Sequence, residues 1–155
     1  MSNSIPENNK SPERKTTAIV AVMRGKPKEG YHCHSSNRHY KKKLVRVLLD
    51  SGSDGDLVFV DKDNTMLLPY SKRLVPQLWN TSNGIFHTKL KARVERNFFD
   101  YSDSKRYYTE PDVVKYDKNS KLQYDLILGT ETMKELGIVL DFKTKEITVD
   151  EITCQ

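Results

Sequence analysis

Little in this chain of 155 residues speaks for secretion or for a membrane. Its two cysteines, Cys33 and Cys154, lie far apart in the sequence. A secreted scaffold of this size usually carries more, in a recognisable disulfide framework, so two reduced thiols are expected. No apolar run approaches the roughly 20 residues needed to cross a bilayer. Met1 to Lys15 is polar and charged with no apolar centre, which is not the pattern of a signal peptide. The chain is therefore expected to be soluble and cytoplasmic. His32, Cys33, His34 and His39 crowd one stretch but lack the cysteine spacing of a zinc knuckle. They read as incidental residues of a loop, and neither a metal nor a cofactor is expected. No internal repeat is present, and no low-complexity tract occurs beyond the first residues.

What is present suits a single small domain, with 36% apolar and 30% charged residues. The net charge is +5, but the basic residues are spread along the chain and mixed with acids. The densest cluster, Arg38, Lys41, Lys42 and Lys43, leads directly into an apolar strand, as solvated faces often do. That pattern argues against nucleic acid as the main partner. Residues 1–15, rich in Asn, Ser, Pro and charge, cannot bury enough apolar surface to order themselves and are expected to form a tail. Residues 16–155 are expected to form the domain.

Within it the pattern is one of short strands. Thr17–Met23 is apolar and ends at the turn signal Arg24-Gly25-Lys26-Pro27. Lys43–Leu49 and Asp56–Val60 follow, with a long polar connection before the first of them that suits a wide hairpin. Ile85–Leu90 and Ala92–Phe99 read as arms around a projecting hairpin, and Asp100–Lys121 as a polar loop or irregular hairpin. Tyr124–Leu128 is a strand. Thr130–Leu136 reads as a short helix capped by Thr130, with Glu131 complementing its dipole and Gly137 ending it. Ile138–Phe142 and Glu146–Ile152 form a last hairpin about Lys143-Thr144-Lys145. The fold class is all-β with one short helix.

The residues that bear chemistry are Leu48-Leu49-Asp50-Ser51-Gly52-Ser53-Asp54-Gly55. An apolar strand delivers a carboxylate into a tight turn made of a hydroxyl residue and a glycine. Ser51 can hydrogen-bond to a neighbouring backbone, and Gly52 admits close approach. Alone, Asp-Ser-Gly is a common turn tripeptide that also closes ordinary hairpins as an Asx-turn. The second motif is Leu126-Ile127-Leu128-Gly129, running into the short helix.

With both motifs in this order, the chain resembles the retropepsins, the aspartic proteases of retroviruses and long-terminal-repeat retrotransposons. The wording DSGSDGDLVF and YDLILGTETMKELGIVLDF is closer to the retrotransposon enzymes, and the resemblance runs from about Thr17 to Ile152. It implies a closed acid-protease barrel acting as a homodimer. It also implies a dyad of two Asp50 carboxylates, one from each copy, because one chain supplies only one such aspartate. Two carboxylates at close range cannot both ionise, so one holds a proton while the other activates water. Ser51 and Gly52 would shape the turn. Ser53, Asp54 and Gly55 would lie beside the substrate groove, and Leu128-Gly129 would pack behind it. A flap hairpin over Trp79–Phe86 would bring Asn83, Gly84 and Ile85 to a peptide. An ordinary surface hairpin, with Trp79 and Phe86 tucked into the core, is the competing reading of that stretch. Val47, Leu57, Ile85 and Ile127 are candidate pocket walls.

The implied substrate is the element's own Gag-Pol-like polyprotein, bound as an extended strand in the cytoplasm or within a virus-like particle. Thr130 stands where many retroviral enzymes carry an arginine that braces the active-site region, so Asp54 needs another partner or stays solvated. A catalytically inactive, domesticated dimeric binding module is the alternative.

Overall fold

The structure, a computed structural model, describes residues 18–33, 40–62, 68–81, 84–102, 105–117, 122–150 and 152–154, the last three by backbone alone. The expected tail, His34 and His39, and the hairpin residue Asn83 lie outside the described residues.

Among the described residues, twelve strands and one helix make up the order. Strands β1 (Ala18–Gly25) and β2 (Lys43–Leu49) form the expected wide hairpin, in register from Ala18 opposite Leu48 to Met23 opposite Lys43. From Leu44 to Leu49 the side chains of β2 alternate: Val45, Val47 and Leu49 are buried, Leu44 and Arg46 are exposed and Leu48 is half-buried. Strand β3 (Leu57–Asp61) follows the Asp50 turn. Strands β4 (Tyr70–Thr81) and β5 (Gly84–Ala92) form a long hairpin, and β6 (Val94–Asn97) pairs with β1. Strands β7 (Tyr107–Thr109), β8 (Asp112–Tyr116) and β9 (Leu126–Leu128) precede helix α1 (Thr130–Glu135). Strands β10 (Val139–Asp141), β11 (Glu146–Val149) and β12 (Ile152–Cys154) make a separate three-stranded sheet.

The large sheet has the order β4-β5-β8-β3-β9-β2-β1-β6-β7. The implied closed barrel is not what the described pairings form: they run from an edge at β4 to an edge at β7. Strand β9 lies between β2, to which it is parallel, and β3, to which it is antiparallel. The chain passing from β2 through Asp50 to β3 therefore straddles β9. One core, built from Val45, Val47, Leu49, Val58, Leu126 and Leu128 with Met133, Leu136, Ile147 and Val149, ties the helix and the small sheet to this centre.

Three expectations need correction. The polar stretch 100–121 contains two strands, and β8 is interior, parallel to β3 and next to β5. Its Asp112 is only 4% exposed and would be expelled from the interior were it not paired. Arg73 Nε and Nη2 donate to its two oxygens at 2.9 and 3.0 Å, and Thr88 donates its hydroxyl to Oδ2. Strand β4 begins well before Trp79, with a register shift between Lys72 and Gln77. Pro76 falls inside that bulge on an edge strand, where its missing N–H is tolerated. Finally, the residue capping α1 is Gly129, and no side chain caps it. The helix closes as expected at Gly137 (φ 64°): Gly137 N–H donates to Lys134 O, and Ile138 N–H donates to Met133 O.

Removing Arg73 strands the buried Asp112 carboxylate, whereas removing Asp112 leaves an arginine that can still reach water. Arg73→Met should lower unfolding free energy by about 3–5 kcal/mol, and Asp112→Leu added to it should recover part of that loss, both measured by urea unfolding.

Candidate active site

The Asp50 turn is held from beneath by β9. Asp50 N–H donates to Leu128 O at 3.0 Å, continuing the β2–β9 ladder one residue past Leu49. Ser53 N–H donates back to Asp50 O at 3.1 Å, closing the turn. Gly52 N–H donates to Asp50 Oδ1 at 2.9 Å. The Asx-turn geometry of an ordinary Asp-Ser-Gly is thus present, but it does not close a hairpin, because β9 separates β2 from β3. Asp50 is half-buried, and no described residue donates to its Oδ2. A Cβ on Gly52 would stand 3.2 Å from Asp50 Oδ1, so the glycine serves the approach of its amide to the carboxylate.

Gly129 is the tightest point. A Cβ there would lie 2.5 Å from Gly55 O, 2.6 Å from Ser53 O and 2.7 Å from the Asp54 carbonyl carbon. Backbone meets backbone, and only hydrogen fits. The next residue adds a bond across the same contact, Thr130 N–H to Ser53 O at 2.8 Å. Asp54 is exposed, and no described residue forms an ion pair with it.

Asp56 was not among the expected site residues, yet it anchors the turn's far end. It is 9% exposed and accepts from Gly129 N–H (2.8 Å), Thr109 Oγ1 (2.7 Å) and Thr132 Oγ1 (2.5 Å). With these three donors engaged, Asp56 acts as a clamp on the turn. Arg96 lies behind the clamp, almost wholly buried, its guanidinium 5.6 Å from the Phe98 ring centroid. Burial pushes its pKa down to about 10, against the opposing pull of Asp56, Glu135 and Tyr107. The sequence hint for Asp56 was its place at the start of an apolar strand, where an unpaired carboxylate would not be tolerated.

The β4–β5 hairpin reaches the turn through Trp79. Its indole stacks on Phe86, with centroids 6.2 Å apart and planes 8° from parallel, and its Nε1–H donates to Thr88 Oγ1 at 2.8 Å. A Cβ on Gly55 would stand 2.9 Å from Trp79 Cη2, so the indole lies against the turn. Trp79 and Phe86 are half-buried at this contact and are not members of the main core. Gly84 (φ 124°) opens β5, and Ile85 is exposed. Ser53 is half-buried and donates its hydroxyl to Gly55 O at 2.8 Å.

Of the candidate pocket walls, Ile127 is half-buried beside the turn, but Val47 and Leu57 are buried core residues and present no side chain to a groove. Sequence reading also passed over an open recess of about 440 Å³ lined by Ser51, Thr130, Met133, Lys134, Ile138, Leu140 and Phe142. Among the described residues no group of His, Cys, Asp or Glu is placed to hold a metal. His32 is bridged through its backbone to Tyr70. No described helix is long and apolar enough to cross a membrane.

No family model matches the chain, and no curated protein matches it. Among solved structures, it is similar to the retroviral protease-like domain of Ddi1 from Leishmania major, at 14% identity and a TM-score of 0.43, over 88% of this chain and 91% of that one. A likeness at that level fixes neither family nor activity.

Gly129→Ala should destabilise the protein by at least the ~1–3 kcal/mol typical of overpacking, because the opposing atoms are backbone of the same turn. Gly55→Ala should cost less, since an indole edge can shift, and should instead change the emission of Trp79, the single tryptophan. Chemical unfolding and fluorescence of the two variants check this.

Proposed function

We propose that the chain is one subunit of a homodimeric aspartic endopeptidase of retropepsin type. The observation that carries this reading is the fit of Gly129 against the Asp50 turn, which joins the two motifs of the resemblance in space. In the retropepsins the strands bearing these motifs pack together, and the glycine permits close passage behind the catalytic turn. Asp50 supplies a carboxylate with one oxygen held by Gly52 N–H and the other unengaged by described residues. The β4–β5 hairpin, resting on the turn through Trp79, supplies the flap.

A single Asp50 is insufficient, and the second comes from another copy on a two-fold axis. Next to Ser51 the surface is apolar and open: Val139 is 58% and Phe142 63% exposed, flanking the recess that Ile138 and Leu140 line. Burying these residues against a second copy removes apolar area from water close to the turn, so association and assembly of the dyad occur together.

In the assembled site one carboxyl is protonated and its partner ionised. The ionised carboxylate takes a proton from a water held between the two, and the water oxygen attacks the scissile carbonyl. The protonated carboxyl gives its proton to the carbonyl oxygen as the tetrahedral diol forms. Collapse of the diol breaks the C–N bond: the amine leaves with a proton from the carboxyl that first acted as base, while a diol hydroxyl gives its proton to the other carboxylate as the new carbonyl forms, restoring the one-proton pair. Polypeptide is the substrate, bound extended along the groove. The natural target proposed is a Gag-Pol-like polyprotein, cut in the cytoplasm or within a virus-like particle.

Cleavage of an unfolded protein at mildly acidic pH should rise faster than linearly with enzyme concentration. Asp50→Asn should reduce it by about 10²–10⁴-fold or more. Failure to cleave at concentrations where sedimentation shows a dimer would reject the enzymatic reading in favour of a binding module.

A further inference from the structure

Six cations that are scattered in sequence converge on two carboxylates, Glu95 and Glu110. Arg24, Lys26 and Lys28 alternate at the end of β1 and beyond, and Lys91 and Arg93 alternate at the end of β5 and just past it. Arg24 Nε (3.4 Å), Lys26 Nζ (3.7 Å) and Arg106 Nε (3.7 Å) all ion-pair with Glu95, which is 7% exposed beneath them. Lys28 Nζ (3.1 Å), Arg93 Nη1 (3.1 Å) and Lys91 Nζ (3.5 Å) ion-pair with Glu110. Burial works to raise the Glu110 carboxyl, but the Tyr31 hydrogen bond, Lys28 and Lys91 outweigh it and hold the carboxyl at about 2. Both acids are thus spoken for, and within these ion pairs six positive charges face two negative ones, a surplus of four.

Tyr108 joins the two groups. It pairs with Glu95 across the β6–β7 ladder, and the Arg93 guanidinium sits 5.5 Å from its ring centroid. The ring is 48% exposed at the centre of the basic face. A cationic surface with an accessible aromatic ring offers phosphate neutralisation and base stacking together. We propose that this face binds single-stranded nucleic acid, with Arg24, Lys26, Lys28, Lys91 and Arg106 on phosphates and Tyr108, backed by Arg93, stacking on a base. A single strand fits better than a duplex, because a duplex does not present free base faces to Tyr108. The inference holds whether or not the chain is a protease.

The test is fluorescence anisotropy of a labelled oligouridylate with the full chain, across a salt series. If the four excess charges neutralise about four phosphates at ~0.7 counterion each, affinity falls about 50-fold from roughly 50 to roughly 200 mM salt. Lys26→Gln/Lys28→Gln/Lys91→Gln should flatten the salt slope by about 2. Tyr108→Ala should weaken binding about fivefold or more with the slope kept. Unchanged thermal unfolding of each variant shows that the fold is intact. Lys134→Gln/Lys143→Gln/Lys145→Gln, altering the helix and the β10–β11 turn, should leave binding unchanged. No binding at low salt, or binding that the first triple variant does not alter, would overturn the assignment. So would tighter binding to duplex, or to vesicles of anionic lipid, than to the single strand.

Discussion

The structure turns on one place where two pieces of backbone touch with nothing between them. At Gly129 the end of β9 passes so close beneath the turn from Ser53 to Gly55 that any side chain would overlap carbonyl groups. The contact is locked by directional bonds. Asp50 N–H reaches Leu128 O on one side, Thr130 N–H reaches Ser53 O on the other, and Gly129 N–H reaches the Asp56 carboxylate. Because β9 lies between β2 and β3, both arms of the turn are also held by strand pairing. A carboxylate carried on so constrained a turn keeps its position without help from its own side-chain packing. That is the condition for acid–base chemistry with a second, identical carboxylate.

The same constraint explains what could be read from the sequence. Lys43–Leu49 is a largely apolar run that ends at a glycine-containing turn, so strand and turn are legible. Leu126-Ile127-Leu128-Gly129 is legible as a buried strand stopped by glycine. Reading stopped where charge is buried by pairing. Asp112 makes β8 look like loop because its partner Arg73 lies far back in the sequence. Asp56 looks like one more polar turn residue because its donors, Thr109 and Thr132, come from distant elements. A buried carboxylate and a solvated one are the same letter, and only the fold distinguishes them. Strand β4 escaped notice for another reason: an edge strand with a bulge and an outward-facing surface has no apolar alternation to display.

Polar chains also link the hairpin to the turn. Trp79 donates to Thr88, Thr88 to Asp112, and Arg73 closes the chain on the same carboxylate. Asp112 N–H in turn donates to Asp56 O at 3.0 Å. The hairpin base, the interior strand β8 and the clamp at Asp56 are therefore one bonded network, and the Trp79 indole lies where that network meets Gly55.

The central claim is that two chains share one site through their two Asp50 residues, and stoichiometry tests it most directly. Pepstatin, an aspartic-protease inhibitor, can be titrated into a concentrated sample while the emission of Trp79, beside the turn, is followed. The account predicts saturation at one inhibitor for every two chains, with the response abolished in Asp50→Asn. Saturation at one inhibitor per chain, or a response that survives Asp50→Asn, would contradict it.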